Sequence, residues 1–424
     1  MMGPAARVTA AFGRGGAAGV LFSGALAGRL IGLAAMPAVT RLYGPADFGL
    51  LAVFSAMVMV LSPALALRLE EGVALLRSDC TAFALLAATA LIAAGNAFVL
   101  GAALWLGIRL LGPAAPAIAA LGPWLWLFPP ALMLLFAYTV LAHWAARRRD
   151  YGLLAQTRVA QALYGAGVKI GLGLFGAQPV GLLLGQIVGQ SAGIGRTLRR
   201  FAPEFAGLAR GLRRRRLIAA LGASRAFALY RFPADLVLYA SMQALVLVVA
   251  FRFDPATVGQ VGLGVMVVTV PVNLIGGSLA RAYHAEAAAR CRARRGVGDL
   301  TRHYARRGAL AALPVVAGIA LAGPFAFGPL FGEDWVLAGQ IAALISVHLL
   351  TQFPASAIVG LLTVTGRQKL FLWFQLQRAL LVMAALGAGA VLDLGLTGMV
   401  LGYALVLLVH YAALLATCLR LARA

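Results

Sequence analysis

The chain reads as a succession of long apolar runs, each closed by charged residues, Gly or Pro. Six runs come first: Ala17–Val39, Asp47–Leu67, Ala82–Ile108, Ala119–Trp144, Val159–Phe175 and Val180–Ile194. After a basic stretch six more follow: Ala234–Phe251, Val258–Ala280, Ala309–Phe331, Val336–Leu362, Leu370–Leu392 and Leu396–Leu419. A helix needs about 20 apolar residues to cross a bilayer, so these runs predict an all-α polytopic membrane protein with about twelve transmembrane helices.

The polar remainder orients these helices. If the N-terminus lies inside, 30 of the 36 basic residues fall in inside loops or termini. Only Arg41, Arg109 and Arg252 fall outside, and Arg29, Lys169 and Arg378 fall within spans. A missed or invented helix would scramble this alternation, so both termini are expected to be cytoplasmic. Composition agrees: 62% of residues are hydrophobic and 12% charged, about half the charge density of a soluble domain. The net charge of +23 would suggest nucleic acid in a soluble chain. The loop bias accounts for it here, and no nucleic acid is expected as a partner. Arg7 and Arg14 before an apolar run resemble a signal peptide, but the run is long and more spans follow, so an uncleaved first helix is expected. Cys80, Cys291 and Cys418 lie too far apart in sequence to suggest a zinc site or a disulfide framework.

Outside loops are short. Inside, 196–233 and 281–307 are strongly basic and partly apolar, which suits either charge that only sets orientation or interfacial helices on anionic lipid. The expected organisation is a six-helix lobe over 1–195, a basic linker or interfacial helix over 196–233, and a second six-helix lobe over 234–424. An internal repeat supports the division. Arg41-Leu42-Tyr43-Gly44-Pro45-Ala46-Asp47-Phe48-Gly49 ends the first outside loop, and Arg252-Phe253-Asp254-Pro255-Ala256-Thr257-Val258-Gly259 stands between spans seven and eight. Pro and Gly recur after 210 residues, close to half the chain. With six spans per half, both halves begin inside, so the repeat is parallel.

Most catalytic apparatus is missing from the sequence. Neither Lys169 nor Lys369 lies in a P-loop, and Gly171, Gly173 and Gly176 match a dinucleotide fingerprint only inside an apolar helix without a preceding strand. There is no HExxH motif, and no pair of acids lies within a span at a spacing suited to acid–base work. The chain is expected not to be an enzyme and to hold no cofactor or metal. Polar residues within spans are costly and tend to be functional. Arg29 lies mid-span, Lys169 shares a helical face with Gln161 and Gly165, and Arg378 stands eight residues into span eleven. Gln186 and Gln190 share a face of span six, as do His348 and Gln352 of span ten. Three cations without a fully buried acid suit an anionic ligand. Arg231 and Asp235, one turn apart at the mouth of span seven, suggest an ion pair or a gate. His143 and His410 read as interfacial. Gly181, Gly185, Gly189 and Gly193 form a stripe that lets another helix approach closely.

The segment Thr40-Arg41-Leu42-Tyr43-Gly44-Pro45-Ala46-Asp47-Phe48-Gly49-Leu50-Leu51 resembles the bacterial polysaccharide-biosynthesis family of lipid-linked oligosaccharide flippases, O-antigen flippases among them. These belong to the multidrug/oligosaccharidyl-lipid/polysaccharide exporter superfamily. The resemblance continues through Leu67-Arg68-Leu69-Glu70-Glu71, Tyr230-Arg231-Phe232-Pro233, Phe331-Gly332-Glu333-Asp334-Trp335 and Gly366-Arg367-Gln368. It implies two six-helix lobes around a central cavity in the inner (plasma) membrane. The cargo would be a polyprenyl-pyrophosphate-linked oligosaccharide bound for surface polysaccharide, and glycan polymerases or glycosyltransferases are the implied partners. Basic residues would hold the pyrophosphate, a role that falls to Arg29 and Arg378, then Lys169. Gln161, Gln186, Gln190, His348 and Gln352 would line the sugar path. The alternatives are an ion-coupled exporter of another lipid or drug, or a membrane scaffold or enzyme of glycan assembly.

Overall fold

The computed structural model describes residues 17–111 and 115–423, and every regular element among them is helical. Arg7 and Arg14 lie outside the described residues. Helix α1 covers Ala17–Leu42, α2 Pro45–Leu61, α3 Asp79–Leu111, α4 Phe128–Arg147, α5 Tyr151–Leu174 and α6 Val180–Ser191. On the basic stretch lie α7 (Ile194–Ala209) and α8 (Arg214–Ala226), followed by α9 (Phe232–Arg252), α10 (Pro255–Pro271) and α11 (Gly277–Arg292). The chain ends with α12 (Gly298–Phe331), α13 (Val336–Ser346), α14 (Leu349–Ile358), α15 (Gln368–Val391) and α16 (Gly395–Leu421).

Nine helices among the described residues are long and apolar enough to cross a membrane. The pair Glu333–Ser346 and Leu349–Val364, bent by 55°, makes a tenth candidate. The other two expected spans are helices of a different kind. Gln156, Arg158, Gln161 and Lys169 dilute the apolar character of α5. The 12 residues of α6 reach about 18 Å at 1.5 Å per residue, short of a hydrocarbon core about 30 Å thick. Prolines mark the irregular points. Pro63 sits in the 3-10 turn that ends span two, Pro129 and Pro130 start α4, and Pro271 closes α10 before a π-helical turn.

The chain divides into two compact units. One holds residues up to Tyr43 with Phe54–Pro113 and Ile118–Leu236, and the other holds Gly44–Val53, Ala114–Ala117 and Val237–Ala424. In the first unit α5 packs between α1 and α6. The predicted glycine stripe serves this packing: a Cβ on Gly165 would lie 2.9 Å from the Cα of Gly189, and one on Gly185 would lie 2.3 Å from Cγ of Lys169. Phe83, Trp144, Phe201 and Phe205 form an aromatic cluster, with centroid separations of 5.2–6.3 Å, that fixes α7 and leaves Arg196, Arg199 and Arg200 exposed.

The second unit contains both copies of the repeated turn. Asp254 caps α10 by accepting from the backbone N–H of Ala256 and Thr257, at 3.0 and 3.4 Å. Asp47 reaches back to accept from Gly44 N–H at 3.1 Å. Both devices satisfy N–H groups that a helix start leaves open. The two turns interlock: a Cβ on Gly49 would fall 1.8 Å from the carbonyl oxygen of Pro255, and one on Gly259 would fall 1.9 Å from that of Pro45. Only glycine permits this reciprocal approach.

Candidate functional site

Each unit contains a polar seam inside its helix packing. In the first, Gln161 and Lys169, eight residues apart on α5, both reach α6 as the i, i+4, i+8 spacing predicts. Lys169 Nζ donates to Gln186 Oε1 at 3.2 Å, and Gln161 Nε2 donates to the Gln190 carbonyl at 3.0 Å. Tyr43 donates its hydroxyl proton to the backbone carbonyl of Lys169 at 2.8 Å, while Gln190 Oε1 is buried without a hydrogen bond. The four expected residues Gln161, Lys169, Gln186 and Gln190 therefore lie together. Arg29 lies apart from this group, exposed on α1. Gly24 and Gly28, on the adjacent face, take the close contacts with Ala155 and Arg158 of α5 and turn residue 29 away. An open groove of about 620 Å³ runs between α1 and α5, with Ser23, Ala27, Gln156, Tyr164 and Arg196 among its lining.

In the second unit Arg378 is 8% exposed on α15 and donates through Nη2 to Ser241 Oγ of α9 at 2.8 Å, while its Nε has no partner. Its charge acts on Tyr403 and His410 of α16. His410 is buried beside Phe374, not interfacial, because it lies in the middle of the 27-residue α16. The seam continues to Tyr411, which accepts from Gln352 Nε2 at 3.2 Å and stacks on His348 at 6.4 Å. His348 stands at the break between α13 and α14, where its Nδ1 contacts the Ile345 carbonyl. Lys169 and Arg378 are 209 residues apart, one fewer than separate Pro45 from Pro255. The repeat spacing thus places one helix-borne cation at nearly corresponding positions of the two halves. Neither forms an ion pair with a carboxylate among the described residues.

Arg231 and Asp235 do form the expected ion pair, at 3.4 Å, but within a larger cluster. Asp235 lies 2.8 Å from Arg68 Nε, and Arg231 lies 3.6 Å from Glu71. Glu70 is 3% exposed, which corrects the expectation that no acid is fully buried. Its burial follows from the chain path. After Pro63 the backbone turns back through Leu67 and Arg68, both at positive φ, and carries residues 69–74 inward as a 3-10 helix. Desolvation pushes the Glu70 carboxyl up to about 7.

No family model matches the chain, and neither does any curated protein. Solved structures do. The lipid II flippase MurJ in an inward closed conformation aligns over 94% of this chain and 87% of its own, with a TM-score of 0.72 at 11% identity. The chain shares a transporter fold. An inward-facing multidrug resistance MATE family transporter of the MOP superfamily gives a TM-score of 0.57 at 17% identity, covering 95% of this chain and 94% of that one. A MOP superfamily transporter from Pyrococcus furiosus, described as having a binding pocket of reverse polarity, gives 0.59 at 16% identity over the same shares.

Proposed function

We propose that the chain is a flippase that carries a polyprenyl-pyrophosphate-linked oligosaccharide from the inner to the outer leaflet by alternating access, for surface polysaccharide assembly. One observation carries this reading: each half has a cation on a helix that the sequence reads as a span, Lys169 or Arg378, hydrogen-bonded to a neutral group and, among the described residues, to no carboxylate. Placing a charge at that depth costs about 3 kcal/mol on insertion scales, so such groups are retained for a ligand or a partner charge. A pyrophosphate supplies the missing negative charge. The lipid-linked cargo of the structurally similar lipid II flippase is consistent with this chemistry. Lys169, Arg378 and the exposed Arg29 offer positive charge to the headgroup. Gln161, Gln186, Gln190, His348 and Gln352 supply neutral polar groups for the sugars. A cationic drug would instead call for intramembrane acids.

A deletion strain tests the reading. Extracted lipids should contain a trapped lipid-linked saccharide that disappears when the wild-type gene is restored and persists with Lys169→Ala or Arg378→Ala at equal protein level. Absence of any such intermediate, with normal surface glycan, would overturn the reading.

A further inference from the structure

The cluster around Glu70 contains three carboxylates, Glu70, Glu71 and Asp235, and two guanidinium groups, Arg68 and Arg231. The arginines are shared unevenly. Arg68 stands 2.8 Å from Asp235 and 4.0 Å from Glu71, and Arg231 stands 3.4 and 3.6 Å from the same two acids. Among the described residues the one cation near Glu70 is Arg68, 3.7 Å from its Oε1; its own backbone N–H also acts on the carboxyl, and its Oε2 is buried with no hydrogen-bond partner.

Among the described residues, no other element packed against residues 69–74 supplies the missing charge. From α4, Arg147 turns toward the backbone carbonyls of Val73 and Leu76 and is bound to Asp79 of α3 at 2.7 and 3.0 Å. His143 of α4 lies within reach of the Arg68 charge. The other titratable group in the first turns of α3 is Cys80. Helix α8 brings Ser224 against Gly72, with Arg225 exposed. The cluster therefore has one carboxylate more than it has guanidinium groups, and the least paired of the three is as deeply buried as Asp235.

We infer that Glu70 is a proton-binding site whose occupancy governs the junction between α8 and α9. With the proton on Glu70, Arg68 and Arg231 neutralise Asp235 and Glu71, and the junction stays closed. When the proton leaves, a third negative charge, the second that is buried, competes for Arg68. Arg231, 54% exposed at the edge of the cluster, is the member free to move. The π-helical turn Phe227–Arg231 joins α8 to α9, and such turns are frequent at functional sites. Opening there would give a transporter a step linked to the proton. That use rests on the function proposed above, whereas the proton site itself does not.

The sign of the pH effect follows. The folded-state value of about 7 lies above the ordinary glutamate value of 4.5, so between the two the closed form holds a proton that an open or unfolded form has lost. The closed form is favoured in full below about 4.5 and loses that advantage as pH rises through about 7.

The test uses the full chain in lipid nanodiscs, with infrared titration and amide hydrogen exchange of wild type, Glu70→Gln and Glu71→Gln. A protonated-carboxyl band in wild type is expected to titrate near pH 7, to vanish in Glu70→Gln and to persist in Glu71→Gln. Exchange at residues 227–235, corrected for intrinsic rates, should slow about tenfold from pH 8 to pH 6, the effect of one unit of differential pKa. In Glu70→Gln it should stay slow at both pH values. Lack of a titrating band, its survival in Glu70→Gln, or exchange indifferent to pH in wild type would overturn the inference. No cargo is needed for these measurements. A titrating band together with a deletion strain that traps no lipid-linked saccharide would count against the flippase reading alone, and a trapped saccharide without the band would count against the proton site alone.

Discussion

The seams around Lys169 and Arg378 occupy equivalent places in the repeat, yet they are built differently. Lys169 lies where α5 and α6 approach nearly backbone to backbone, because Gly165, Gly185 and Gly189 have no side chains to separate them. The flexible ammonium then reaches a single glutamine. Arg378 donates to Ser241 on one helix, and its charge reaches Tyr403 and His410 on another. The first half keeps a mobile point charge in a narrow seam, whereas the second fixes a planar fork in a polar nest. Duplication preserved where the charge sits and let its support diverge.

Removing the charges tests that equivalence most strongly. Lys169→Ala and Arg378→Ala should each cut surface glycan more than tenfold, since losing one charge-assisted contact costs about 2–5 kcal/mol. Glycan immunoblots at matched protein level check this, and a normal result for either variant would break the pairing. Next comes Gly185→Ala, whose methyl would meet Lys169 Cγ at 2.3 Å and the Gly165 carbonyl at 3.1 Å. Overpacking of this kind should destabilise the first unit by about 1–3 kcal/mol, read as a lower melting temperature in detergent. Ser241→Ala should cost about 1.5–2 kcal/mol by removing a hydrogen bond to a charged group. Export should then become more sensitive to salt, while the first half is unaffected. The smallest effect is expected for Gln352→Met, under about 1 kcal/mol, because Gln352 Oε1 already lacks a partner and only the bond to Tyr411 is lost.

Much of this architecture was legible in the hydropathy, because apolar length alone decides which segments suit a bilayer. Helices α5 and α6 show why that signal fades: glycine packing and glutamine bonds replace apolar area where a helix faces its neighbours instead of lipid. Within the candidate site, the face shared by Gln161 and Lys169 followed from the helical period, and the Arg231–Asp235 pair followed from a one-turn spacing. Glu70 did not. Beside Arg68 and Glu71 it has the sequence of a solvated loop, and only the left-handed backbone at Leu67 and Arg68 folds it inward. Arg29 shows the reverse case. Its mid-span position suggested enclosure, but the glycines at 24 and 28 decided which face of α1 packs. Local sequence gave the distance along the helix and left open the direction around it.

The interlock of Gly49 under the Pro255 carbonyl and Gly259 under that of Pro45 is self-complementary. Two identical six-helix chains carrying one such turn each would make the same contact across a dyad, the isologous geometry of a homodimer. A half-length chain with one such turn would thereby carry a surface that fits a second copy of itself.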